Sequence, residues 1–77
     1  MAARDRPQKR SLTLAGHRTS VTLETAFWDR LRLLARVRGL SVNALAARID
    51  AARDPGVPLA GAIRVYVLES LAPDTGD

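Results

Sequence analysis

Residues 18–31, Arg18-Thr19-Ser20-Val21-Thr22-Leu23-Glu24-Thr25-Ala26-Phe27-Trp28-Asp29-Arg30-Leu31, change their hydrophobic period part-way along. Up to Leu23 the polar and apolar residues alternate, which puts Val21 and Leu23 on one face of a strand and Arg18, Ser20 and Thr22 on the other. From Glu24 onward Phe27, Leu31, Leu34 and Ala35 recur at helical spacing with Trp28 beside them, while Asp29, Arg30, Arg32, Arg36 and Arg38 fall largely on the opposite side. That pattern predicts an amphipathic helix of about fourteen residues.

Gly39 supplies the stop for this helix and Ser41 an N-cap for the next, which begins at Val42 and carries Val42, Leu45, Ala46 and Ile49 as its apolar stripe. The second helix ends near Arg53, ahead of Asp54-Pro55-Gly56-Val57-Pro58, where proline and glycine break any regular element. Residues 59–71 have strand-like content in Ile63-Arg64-Val65-Tyr66-Val67, but Leu59, Ala62, Ile63, Tyr66, Val67 and Ser70 form a helical stripe and Pro58 suits a first turn. A third helix is the better reading.

Upstream, Leu12 and Leu14 also alternate with polar residues, but on even numbers, whereas Val21 and Leu23 are odd. The frame must shift between them, and Gly16 is the natural place for a bulge or break. Residues 11–17 then either extend the strand or cover its polar face. Residues 1–10, MAARDRPQKR, have nothing to bury and read as a flexible basic arm. Residues 72–77 read as an acidic tail. The domain proper is expected over 11–71.

The chain of 77 residues has 12 Lys and Arg against 8 Asp and Glu, no cysteine and a single histidine, His17. One small domain is the upper bound. The absence of cysteine excludes thiol nucleophiles, disulfides and cysteine-bound zinc, and one histidine cannot build a histidine-rich metal site, so neither metal nor cofactor is expected. No nucleophile-elbow or phosphate-loop motif is present, and the expectation is a protein that is not an enzyme. Residues 1–38 hold nine cations against three acids, +6, and residues 39–77 hold three against five, −2. The basic half is thus the strand and first helix. With no apolar run of membrane-spanning length and no signal-peptide pattern, a cytoplasmic protein is expected.

A lone strand leaves backbone groups unsatisfied on both edges, and its simplest partner is the same strand of a second copy. Antiparallel pairing about a two-fold axis would make an intertwined homodimer with Val21, Leu23, Phe27, Trp28, Leu31, Leu34, Val42, Leu45 and Ile49 in a shared core. Arg18, Ser20 and Thr22 would face outward on a two-stranded antiparallel ribbon. Such a ribbon fits the major groove of double-stranded DNA, where these side chains reach base edges.

The strand at 18–24, the Phe27-Trp28 helix and the turn Gly39-Leu40-Ser41-Val42-Asn43 resemble the ribbon-helix-helix superfamily of Arc and methionine-repressor type. With Arg10-Ser11-Leu12-Thr13-Leu14-Ala15-Gly16-His17 and the segment 59–69, the chain is similar to a bacterial subgroup of small ribbon-helix-helix domain proteins, over roughly residues 10–71. The resemblance implies a mostly helical α+β fold and a homodimeric, sequence-specific transcriptional regulator; the helix read at 59–71 is an additional C-terminal element beyond the superfamily's simple pattern, as is the segment at 10–17. It implies base reading by Arg18, Ser20 and Thr22, and a phosphate clamped by backbone amides at Ser41, Val42 and Asn43, as the free N–H groups of a helix start allow. Lys9 and Arg10 are further phosphate-binding candidates. The alternative is an antitoxin-like or adaptor dimer that holds a partner protein through the C-terminal helix.

Overall fold

The computed structural model describes residues 4–71, so the acidic segment 72–77 and residues 1–3 lie outside the described residues. Five elements follow one another: β1 (Pro7–Leu14), β2 (His17–Glu24), α1 (Thr25–Val37), α2 (Val42–Ala52) and α3 (Leu59–Leu71). The fold is α+β and mostly helical, with the third helix where the stripe at 59–71 placed it.

β1 and β2 form a two-stranded antiparallel hairpin whose register runs from Leu14 opposite His17 to Pro7 opposite Glu24. In this register even-numbered residues of β1 lie opposite odd-numbered residues of β2, and opposed residues share a face. Hence Leu12 and Leu14 join Val21 and Leu23 beneath the sheet, and all four are buried. The shift of phase between the two stretches is therefore a chain reversal: of the bulge or break expected at Gly16, the structure has the break. Ala15 and Gly16 make the whole connection, with φ of 51° and 86°. Two consecutive positive φ values are those of a type I′ turn, whose twist matches a two-residue hairpin.

Two further expectations are corrected by this hairpin. The strand at 18–23 is not alone, because β1 of the same chain supplies its mate, so no second copy is needed to satisfy that side of its backbone. Nor do residues 4–10 hang free as an arm. Residues 7–10 are the first half of β1, and the carbonyls of Arg6 and Arg4 accept hydrogen bonds of 3.0 Å from the first amides of α1, Thr25 N and Ala26 N. Orphan amides at a helix start need acceptors, and backbone carbonyls supply them here. A strand made by backbone pairing needs no apolar side chains of its own, which is why polar residues 7–10 gave no sign of it.

The helices pack against the apolar face of the hairpin. Trp28, Leu31 and Ala35 of α1, Leu45, Ala46 and Ile49 of α2, and Ile63 and Val67 of α3 complete a core within one chain, and Phe27, Leu34 and Val42 are partly buried against it. The residues expected in a shared dimer core thus already pack together in a single copy. Trp28 is fixed twice: its ring is buried, and Nε1 donates to the carbonyl of Gln8 at 2.9 Å, tying α1 to β1. α1 ends in a Schellman motif, with Gly39 at φ 70°, Gly39 N donating to Arg36 O at 3.0 Å and Leu40 N to Ala35 O at 2.8 Å. The chain then re-enters a helix at once, with Ser41 Oγ capping Ala44 N at 3.0 Å.

Ala15 is the one non-glycine residue with positive φ among the described residues. A left-handed alanine costs roughly 1–2 kcal/mol, and Asn-Gly is the preferred pair for this turn. Ala15→Asn is therefore expected to stabilise the fold by about 1 kcal/mol, read as a rise in the urea midpoint at unchanged slope; an unchanged or lower midpoint counts against the strained turn.

Candidate nucleic-acid interface

The register that buries Leu12, Leu14, Val21 and Leu23 turns the other residues outward in opposed pairs: Lys9 with Thr22, Ser11 with Ser20, and Thr13 with Arg18. All six are exposed. From Lys9 to Thr22 this face carries no carboxylate, two cations and four hydroxyls, which suits it to hydrogen-bonding an anionic, donor-and-acceptor-rich surface. Arg18, Ser20 and Thr22 lie where the alternation placed them. Ser11 and Thr13 were missed as their neighbours. The signal was in the sequence, because opposite numerical phase in two stretches joined by Ala15-Gly16 is what a two-residue hairpin produces.

Lys9 is on this face and Arg10 is not. Arg10 lies opposite Val21 on the helix-facing side, where its guanidinium stacks 5.5 Å from the centroid of the Trp28 ring and donates to Gln8 Oε1 at 3.0 Å. Cation–π stacking accounts for its place there, off the outward polar face. His17 flanks the turn opposite Leu14.

The α2 start lies beside the hairpin. Thr13 N donates to Asn43 Oδ1 at 3.2 Å. Strand N–H groups alternate in direction, so an amide bonded to α2 points away from β2, and those of Ser11 and Lys9 point the same way. Asn43 thus latches the α2 N-terminus to the outer edge of β1. Ser41 is the N-cap, its side chain occupied by Ala44 N, while the amides of Val42 and Asn43 have no acceptor among the described residues. These two N–H groups lie at the positive end of the helix dipole, where backbone donors without an acceptor favour negative charge.

The ion pairs separate bound from available cations. Arg4 and Arg32 both pair with Asp29, Arg53 with Asp50, and Arg64 with Glu24. Lys9 and Arg18 have no carboxylate within ion-pairing distance among the described residues. Glu24 sits where β2 passes into α1; its two carboxylate oxygens accept from Arg64 Nε at 3.1 Å and Nη2 at 3.3 Å. Arg64 also lies 5.7 Å from the Phe27 ring centroid. This contact joins α3 to the β2–α1 junction, so the added helix is fastened to the base of the hairpin.

A ribbon-helix-helix domain model matches residues 7–71, which is nearly the whole described chain. The chain belongs to the ribbon-helix-helix domain family. Proteins of this family generally bind DNA as transcriptional regulators, and the ribbon-helix-helix fold is a non-enzymatic one. The chain is similar to the solved structure of an uncharacterized protein from Bordetella pertussis Tohama I, at 29% identity and a TM-score of 0.71, over 95% of this chain and 67% of that one. No curated protein matches the chain. Among the described residues no helix of this ribbon-helix-helix protein is long and apolar enough to cross a membrane.

The Arg64 guanidinium, hydrogen-bonded to Glu24, holds that carboxyl below its ordinary range. Glu24 therefore takes up a proton less readily folded than unfolded. Its contribution to stability is complete above the unfolded value of about 4.3 and disappears as pH falls through the lower folded value. Glu24→Gln should lower stability at neutral pH and flatten the acid side of the stability–pH curve, as measured by thermal melts between pH 7 and pH 3. A variant whose acid limb matches the wild type would show that the contact carries no linkage.

Proposed function

We propose that the protein is a sequence-specific DNA-binding transcriptional regulator of the bacterial cytoplasm, acting as a homodimer that presents one hairpin per chain to the major groove. The observation that carries this reading is the outward face of the β1–β2 hairpin: six exposed polar side chains in three opposed pairs, without a carboxylate, latched by Thr13 and Asn43 to the start of α2. A two-stranded ribbon is the width the major groove admits, and here one chain supplies both strands. Arg18 is the base-reading cation, suited to the O6 and N7 acceptors of guanine, with Ser20, Thr22, Ser11 and Thr13 reaching adjacent edges. Lys9, at the far end of the same face, meets a phosphate. The Val42 and Asn43 amides bind a second phosphate at the groove margin, with Ser41 holding the helix start in shape and the Asn43 side chain serving as the latch.

A second reading, the capture of a partner protein through α3, is favoured by one observation: Val65, Leu68 and Leu71 are exposed on that helix. It leaves the polar face of the hairpin without a role.

Polarisation titrations against genomic fragments distinguish the two. Arg18→Ala should cost about 1–3 kcal/mol on the preferred site and relax preference at one base step. Lys9→Ala should weaken binding to all sequences alike and reduce the salt slope by about 0.9. Absence of binding at low salt, or an Arg18→Ala variant with unchanged preference, contradicts the assignment.

A further inference from the structure

The outward side of α1 is not the uniformly polar face of a solvent-facing helix. Trp28, Leu31 and Ala35 are buried, and the residues on the opposite side include Asp29, Arg30, Leu33, Arg36 and Val37. Leu33 and Val37 stand one helical turn apart on a single stripe, 43% and 74% exposed. Arg36 flanks this stripe on one side and Arg30 on the other, and neither has an ion-pair partner among the described residues. Two more cations, Arg4 and Arg32, share Asp29 towards the start of the helix. Four arginines against one aspartate leave this face at +3. A shallow hollow of about 190 Å³ opens at the end of the stripe, bordered by Arg4, Asp29, Arg30 and Leu33.

An apolar centre inside a rim of one charge sign indicates what fits it. Duplex DNA would meet the cations but would press Leu33 and Val37 against phosphates, which offer nothing apolar. α1 also lies beneath the hairpin, on the side of the sheet away from Lys9, Arg18 and their neighbours. A second copy turned about a two-fold axis would bring arginines to arginines, with one aspartate per copy to offset them. The rim of the α2–α3 groove, by contrast, mixes Arg38 and Arg48 with Asp54 and Glu69, so the single sign is particular to α1. We propose that the outward face of α1 docks a short acidic segment of another protein. Its apolar side chains cover Leu33 and Val37, one carboxylate enters the hollow between Arg4 and Arg30, and another meets Arg36. Charge complementarity speeds encounter and selects the partner, and burial of the stripe retains it. The contact leaves the polar face of the hairpin open, so it neither rests on the DNA reading nor competes with it.

Fluorescence polarisation on the full chain tests this with a labelled synthetic helix that carries leucines on one face flanked by glutamates. Its counterpart with glutamine for each glutamate should bind about tenfold more weakly. Leu33→Gln with Val37→Gln, at positions exposed in the chain, should keep the wild-type circular dichroism and weaken binding of the glutamate peptide about tenfold or more. Arg30→Gln with Arg36→Gln should remove most of the difference between the two peptides. In amide chemical-shift maps the glutamate peptide should move Leu33, Arg36 and Val37 and leave Arg18 and Ser20 in place, and duplex DNA should do the reverse. A peptide that does not bind, binding indifferent to Leu33 and Val37, or duplex DNA that moves the α1 amides in place of those of the hairpin overturns the proposal. Phosphatidylglycerol vesicles that capture the chain through Leu33 and Val37 more tightly than the peptide overturn it too, in favour of a membrane surface. A chain that binds the peptide as stated but no DNA upholds this contact and removes the DNA reading.

Discussion

Every feature of the site depends on the pairing of β1 with β2 through two residues, Ala15 and Gly16. A connection this short allows one register, Leu14 opposite His17, and that register decides the direction of each side chain from residue 7 to residue 24. It gathers Leu12, Leu14, Val21 and Leu23 on one side and Lys9, Ser11, Thr13, Arg18, Ser20 and Thr22 on the other. A slip of one residue would exchange the two sets, burying Arg18 and exposing Leu23, and the core beneath would not form. The positive φ of Ala15 is the local strain that accompanies this choice.

A two-stranded hairpin is marginal by itself, and here the three helices beneath support it. α1 holds β1 through the indole of Trp28, α2 holds its edge through Asn43, and α3 reaches the base of β2 through Arg64 and Glu24. Each fastening acts at a different point along the ribbon. The polar face can then be left wholly to solvent, because none of its side chains is needed for packing. The +6 of residues 1–38 fits this arrangement: most of its acids are tied up in ion pairs, while Lys9 and Arg18, on the exposed face, have no ion-pair partner among the described residues.

The helices were legible because side-chain periodicity carries their signal. Trp28, Leu31 and Ala35 mark α1, Ser41 and Leu45 mark the start of α2, and the stripe through Ile63 and Val67 marks α3. The Gly39 stop was equally readable, since a left-handed residue past a helix end favours glycine. β1 was only half legible. Leu12 and Leu14 betray its end, but Gln8, Lys9 and Arg10 pair through backbone atoms and bury nothing, so their side chains gave no sign of a strand. Reading 18–23 as a lone strand followed from that gap, and with it the expectation that its mate must come from a second chain. The surroundings of Arg10 were hidden for a related reason: charge alone suggests solvent or phosphate, and only the register shows that it lies over Trp28. The bond of Asn43 to Thr13 spans thirty residues, and no local pattern could show it.

If the outward face of the intrachain hairpin, with the start of α2 beside it, is the surface that meets DNA, the backbone amides there must sense the duplex first. Amide chemical-shift mapping of the labelled 8.3 kDa chain during titration with duplex DNA reads this residue by residue. The largest changes are expected on Lys9, Ser11, Thr13, Arg18, Ser20 and Thr22 and on the Val42 and Asn43 amides, while Val65 and Leu68 on α3 scarcely move. Changes concentrated on α3 or along α1, with the hairpin amides unmoved, would contradict the assignment of this face.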